Sequence, residues 1–112
     1  MFKRIDVQQA KILLEQKQAQ CIDIRDAMSY QQGHIPQAAL IDSNNINQWL
    51  AHADKQKPVL VYCYHGNSSQ SAAQYIYEQG FSEAYSMDGG FEAWRSLYAA
   101  DITLPKNQSV FG

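Results

Sequence analysis

The run Pro58-Val59-Leu60-Val61-Tyr62-Cys63 constrains this chain more than any other stretch. It is apolar almost throughout, as befits a strand covered on both faces, whereas a strand with one wet face alternates apolar and polar residues. Covering both faces requires helices on each side of a sheet. The rest of the sequence supplies them, because short β-rich runs alternate with amphipathic stretches, the pattern of an α/β protein with a parallel or mixed sheet. Self-similarity at a period of roughly 20–50 residues is absent, so the chain is not a solenoid.

Around that strand the elements fall into order. Phe2 to Ile5 reads as a short strand, and Asp6 with Gln9 reads as an N-cap and its N3 partner for a helix that turns Val7, Ala10, Leu13 and Leu14 inward. Cys21 to Ile24 is a brief strand ending in the charged turn Arg25-Asp26. Gly33-His34-Ile35-Pro36 is turn chemistry: Pro36 biases Ile35 away from the helical region. Ala39 to Ile41 reads as a strand, and Asn44 or Asn45 as the cap of a helix burying Ile46, Trp49 and Leu50. Beyond Cys63, Ser68 and Ser69 open a helix with Ala72, Ala73 and Ile76 on its buried side and Gly80 at its C′ position. Ala84 to Met87 forms the last strand, and Asp88-Gly89-Gly90 leads into a helix bearing Phe91, Trp94, Leu97 and Tyr98. The tail after Asp101 has no helical or strand period, and Pro105 argues against a helix there.

Composition narrows the function. A chain of 112 residues, 46% of them hydrophobic, supports one core and one domain spanning 1–112. Surface scaling leaves about 6,200 Å² exposed of roughly 18,400 Å² in the open chain. The net charge of -2 comes without a basic run, so nucleic acid and anionic membranes are poor partners. No apolar stretch approaches the roughly 20 residues of a spanning helix, and MFKRIDVQQAKILLEQ lacks a signal-peptide core. A cytoplasmic, soluble protein is expected. Two cysteines make no disulfide framework, and no Cys/His cluster has ligand spacing, so neither a metal nor a cofactor is expected.

The chemistry points to Cys63-Tyr64-His65-Gly66-Asn67-Ser68-Ser69. Here a cysteine ends a buried strand, a short glycine-containing loop follows, and a helix begins. Ligands of open α/β sheets bind at the carboxyl ends of strands, and a helix amino terminus offers unpaired N–H groups to an anion. A loop curled around the sulfur aims several such donors at it. Lowering a thiol pKa from 8.5 by roughly two units raises the thiolate fraction at pH 7 about 25-fold, but the thiolate loses about 8-fold in intrinsic reactivity. The net gain of about threefold is too small to account for the loop. A ring of amides does more by stabilising an anion on or beside the sulfur throughout a reaction.

Two anion chemistries suit such a cysteine. Phosphatases and arsenate reductases of the C-x₅-R type clamp a tetrahedral oxyanion with an arginine six residues on, where this chain has Ser69. The arginines are Arg4, Arg25 and Arg95, none of them in the loop. The other chemistry is sulfur transfer through a persulfide, whose anion fits a cradle of N–H groups alone.

Together, Ile22-Asp23-Ile24-Arg25-Asp26, Gly33-His34-Ile35-Pro36, Cys63 to Ser68 and Asp88-Gly89-Gly90-Phe91-Glu92-Ala93-Trp94 resemble the rhodanese family. The loop and last motif resemble in particular its GlpE-type single-domain thiosulfate sulfurtransferases of bacteria. The resemblance implies a three-layer fold of about five mainly parallel strands flanked by helices. It also implies transfer of sulfane sulfur from thiosulfate to cyanide in vitro, or to a dithiol such as thioredoxin. Cys63 would carry the persulfide, and Tyr64, His65, Gly66, Asn67, Ser68 and Ser69 would hold the anion. This sequence departs from the family pattern at Gln37, where relatives often carry glycine, and in a loop whose only basic side chain is His65.

The rival readings are a persulfide carrier or docking module within a sulfur relay, and a cysteine-dependent phosphatase or arsenate reductase. Other residues have ordinary roles. Cys21 opens its strand at the end opposite Cys63, about 10 Å away along the strand direction, too far for a disulfide, and reads as core. His65 faces solvent; His34 and Asp23 orient a turn and pair locally; Arg25 pairs with Asp23 or Asp26. Ser68 and Ser69 cap the helix, with hydroxyl donation to the anion as a second role. Phe91 and Trp94, at helical spacing, are core.

Overall fold

The structure, a computed structural model, describes residues 1–105. Five strands, β1 (Lys3–Ile5), β2 (Gln20–Asp23), β3 (Ala39–Leu40), β4 (Val59–Tyr62) and β5 (Ala84–Met87), form one sheet in the order β1-β5-β4-β2-β3. All four pairings are parallel. Helices α1 (Val7–Gln16), α2 (Ala27–Gln32), α3 (Ile46–His52), α4 (Ser68–Glu78) and α5 (Gly90–Leu97) connect and cover them.

β4 is buried along its whole length, and its pleat explains why it is apolar at every position. Leu60 and Tyr62 face one core, with Val7, Ala10, Ile35, Met87, Phe91 and Trp94. Val59 and Val61 face the other, with Ile22, Ile41, Ala73, Ile76 and Phe81. α1 begins with the expected capping box between Asp6 and Gln9. Gly80 closes α4 with φ of 103°. Gln37 also lies in the left-handed region, at φ 69°, a conformation that favours glycine.

Three expectations change. Residues 27–32 form a helix after Arg25-Asp26, started by the Asp26 carboxylate, which accepts from the Ser29 amide. Asn45 takes the N-cap position of α3 without a side-chain bond to a helix amide; its Oδ1 instead accepts from the Asp42 amide, and the Asp42 carboxylate accepts from the Asn44 and Asn45 amides just before the helix. The third strand stops at Leu40. In the tail, Thr103 bridges antiparallel to His34, Leu104 and Pro105 have no regular structure, and residues 106–112 lie outside the described residues.

The topology sets where chemistry can occur. β2 leads outward to β3, whereas its neighbour β4 leads the opposite way to β5. The crevice at the carboxyl ends of β2 and β4 is therefore a switch point, and the turn carrying Arg25 and Asp26 meets the Cys63 loop there.

Candidate active site

β4 ends at Tyr62, and the chain turns at once so that Cys63 becomes the hub of its own loop. The Gly66 amide donates to Cys63 Sγ at 3.2 Å and the Ser69 amide at 3.3 Å. Ser69 belongs to the first turn of α4, where amides have no helical carbonyl to serve and are free for such a bond. Ser69 Oγ lies 3.3 Å from the sulfur, accepting from the thiol in its neutral form. Burial, the largest single influence, pushes the thiol upward in pKa. The Ser69 hydroxyl and the Ser69, Gly66 and His65 amides together outweigh it, so Cys63 sits below the ordinary thiol value.

Backbone packing fixes this geometry. The amides of Phe91 and Glu92, at the start of α5, donate to the carbonyls of Cys63 (2.8 Å) and Tyr64 (3.2 Å). Gly90 makes that approach possible: a Cβ there would stand 2.5 Å from the Tyr64 carbonyl carbon and oxygen. At Gly66, φ is 93° and a Cβ would stand 2.9 Å from the Gly89 nitrogen. The Asp88-Gly89-Gly90 turn thus acts as the outer wall of the cysteine loop. On the other flank the Tyr64 hydroxyl donates to the Asp26 carboxylate and lies 2.8 Å from Ser29 Oγ. That bond, with the Ser29 amide, holds the Asp26 carboxyl below its usual range.

The predicted site residues therefore divide. The structure brings Gly66 and Ser69 to the sulfur, together with the His65 main chain. It places the His65, Asn67 and Ser68 side chains at the exposed rim and Tyr64 half-exposed across the crevice. Ser69, expected as a cap, turns its hydroxyl inward, and neither it nor Ser68 caps α4 by side chain. Sequence reasoning missed Ser86, fully buried in β5, whose Oγ is 2.8 Å from Ser69 Oγ. A serine between apolar strand residues was the available signal.

Charge close to the site is already committed. Arg25 forks onto the fully buried Asp23 with contacts of 2.7 to 3.1 Å, and donates to the Gly33 carbonyl at 2.7 Å. Its guanidinium lies 4.0 Å from the centre of the Phe91 ring. Asp26 serves as a helix cap rather than as its partner. Arg4 pairs with Asp88 beside the Gly66 turn. Among the described residues, the sulfur thus faces dipoles and hydroxyls rather than a free cation. Two clefts flank the loop, of about 450 Å³ along Ser68 and α4 and about 290 Å³ beside Tyr64. No three His, Cys, Asp or Glu side chains converge as metal ligands among the described residues. No helix there is long and apolar enough to cross a membrane.

Comparison with known proteins agrees with this geometry. Residues 6–97 match the family model of the rhodanese-like domain. The thiosulfate sulfurtransferase GlpE of Pseudomonas savastanoi pv. phaseolicola is 54% identical over 97 residues, covering 87% of this chain and 91% of that protein. Its counterpart in Pseudomonas fluorescens is 51% identical over 107 residues, covering 96% and 97%. Among solved structures, a rhodanese-like domain protein from Staphylococcus aureus superposes with a TM-score of 0.71 at 31% identity, covering 82% of this chain and 90% of that one.

Proposed function

This chain belongs to the rhodanese-like domain family and is a thiosulfate sulfurtransferase, and on that premise we propose that Cys63 is the sulfur carrier and the loop from Tyr64 to Ser69 its anion cradle. The Cys63 thiolate attacks the outer sulfur of thiosulfate. A bond forms between Sγ and that sulfur, the sulfur–sulfur bond of thiosulfate breaks, and sulfite leaves with its electron pair. The persulfide left on Cys63 is again an anion, held by the same donors. A nucleophile then takes the outer sulfur and returns the thiolate: cyanide in vitro gives thiocyanate, and a dithiol such as thioredoxin is the cellular acceptor. The whole chain acts as one such domain, in the cytoplasm.

The observation that carries this reading is the convergence of the Gly66 and Ser69 amides and the Ser69 hydroxyl on one sulfur. These groups are preorganised, so they need no rearrangement as negative charge moves from thiolate to persulfide. The cradle also explains the preference for sulfur over phosphorus. Ser69 stands where a C-x₅-R phosphatase needs its arginine, and Arg25 is tied to Asp23.

Intact mass after incubation with thiosulfate tests the assignment. The protein is expected to gain one sulfur atom, to lose it to cyanide or reduced thioredoxin, and to gain none as Cys63→Ser. Loading of the Cys63→Ser variant would overturn it. Loading only from a protein persulfide would identify a relay carrier instead.

A further inference from the structure

We propose that Ser86 is a positioning residue for the Cys63 sulfur, acting through Ser69 as the end of a buried hydroxyl relay. The relay runs across three elements: Ser86 on β5, Ser69 in the first turn of α4, and Cys63 at the end of β4. Its links are 2.8 Å between the two hydroxyl oxygens and 3.3 Å from Ser69 Oγ to Sγ. Both serines are fully buried, away from any water that could replace a lost partner. Ser86 stands opposite Val61 in the β4–β5 register, on the face that α4 covers. An apolar residue of similar size would pack there, so the hydroxyl calls for a reason of its own.

Proton counting supplies one. Each hydroxyl has a single hydrogen. When Cys63 is a thiol, it donates to Ser69 Oγ, and Ser69 donates onward to Ser86. When the sulfur becomes a thiolate or persulfide, the Ser69 hydrogen must turn toward it. The Ser69 oxygen then needs a new donor, and Ser86 rotates its own hydrogen into that place. The relay thus reverses with the charge on the sulfur, and each bond polarises the next. Without Ser86, Ser69 still reaches the sulfur as a less polarised donor.

The inference rests on the reading of Cys63 as the sulfur carrier, but the two fail separately. Thiosulfate loading tests the carrier, whereas the pH midpoint of Cys63 alkylation by iodoacetamide, read on the Cys63 peptide, tests the relay. Charged and titratable groups on or facing the loop are Tyr64 and His65 on it, Arg4 on β1 with Asp88 after β5, Arg25 and Asp26 across the crevice, and Glu92 and Arg95 on α5. The first two turns of α4 carry no charge. Neither serine substitution alters any of these groups.

Ser86→Ala is expected to raise the midpoint by roughly 0.3–0.7 unit, a two- to fivefold weaker acid, on the scale of the cooperative share of a hydrogen bond to a charged group. Ser69→Ala raises it further. The double variant matches Ser69→Ala alone, because Ser86 has no route to the sulfur except through Ser69. Ser86→Cys, which preserves volume and a weak donor, falls between wild type and Ser86→Ala and covers the case in which Ser86→Ala does not fold. An unchanged midpoint in either folded Ser86 variant overturns the relay. So does a double variant whose shift is the sum of the two single shifts, the outcome expected if Ser86 only packs.

Discussion

The two cysteines of this protein are equally buried, each 6% exposed, yet their surroundings push them in opposite directions. Cys21 lies opposite Leu60 in the sheet, three residues before Cys63 along β4. Its thiol is pushed upward by burial and then by the nearby Asp23 carboxylate. Cys63 is also pushed upward by burial, though it is less deeply enclosed than Cys21, and the Ser69 hydroxyl and the Ser69, Gly66 and His65 amides outweigh that push, so it moves down. A small exposed area alone therefore does not decide reactivity. Which end of a parallel strand holds the sulfur decides it, because the carboxyl end meets loop amides and a helix start, whereas the amino end meets packed side chains.

Substitution separates the pair most sharply. Cys63→Ser is expected to reduce thiosulfate-dependent thiocyanate formation by on the order of 10⁴ or more, while Cys21→Ala stays within about twofold of wild type and loses about 1–3 kcal/mol of stability by urea denaturation. If Cys21→Ala lost activity to a comparable degree, the division of roles would collapse. Next in size is Gly90→Ala. Its Cβ would collide with the Tyr64 and Cys63 carbonyls and displace the loop, so about a 10²-fold loss in turnover is expected with the sheet still folded by circular dichroism. Near-normal turnover would mean that the α5 wall does not set the cradle. Ser69→Ala removes one donor to a charged sulfur and should cost about tenfold in kcat/KM while raising the alkylation midpoint of Cys63.

The smallest effect is on stability against pH. Cys63, depressed in the fold, contributes stability that is fully present above the ordinary thiol value of about 8.5 and is lost as pH falls through its lowered value. Cys21, raised in the fold, contributes stability that is fully present below about 8.5 and is lost as pH climbs above it. The stability difference between wild type and Cys63→Ala should therefore grow with pH up to about 8.5, and that between wild type and Cys21→Ala should shrink beyond it. Urea midpoints measured across that range check both slopes, and slopes of the same sign would contradict the contrast.

Much of this was legible before any coordinates. β4, its loop and α4 announced themselves because a doubly covered strand has few polar positions and because glycine and helix-start residues follow it at once. The capping box of α1 was equally plain, since its two partners lie three residues apart. α2 was missed because AMSYQQ has no apolar period; it depends on Asp26 at one end and Gly33 at the other. Asn45 was rightly among the expected caps of α3, but the bonds through Asp42 were not foreseen, because several neighbouring side chains could each have filled that role and only the local backbone decides among them. Ser86 was hidden for a different reason. Its partner follows from which face of the sheet it points to and lies 17 residues away in sequence, whereas the Asp23–Arg25 pair, two residues apart, was readable from the turn. Contacts that depend on pleat and register become visible only once the strands are aligned.

Rates of iodoacetamide modification at both cysteines of the intact protein, followed by peptide mass from pH 5 to pH 10, test the contrast most directly. The account predicts that Cys63 reacts with a midpoint below about 8.5 and that Cys21 stays unmodified throughout the range in which the protein is folded. A Cys63 midpoint at or above that value, or Cys21 reacting as readily as Cys63, would contradict it.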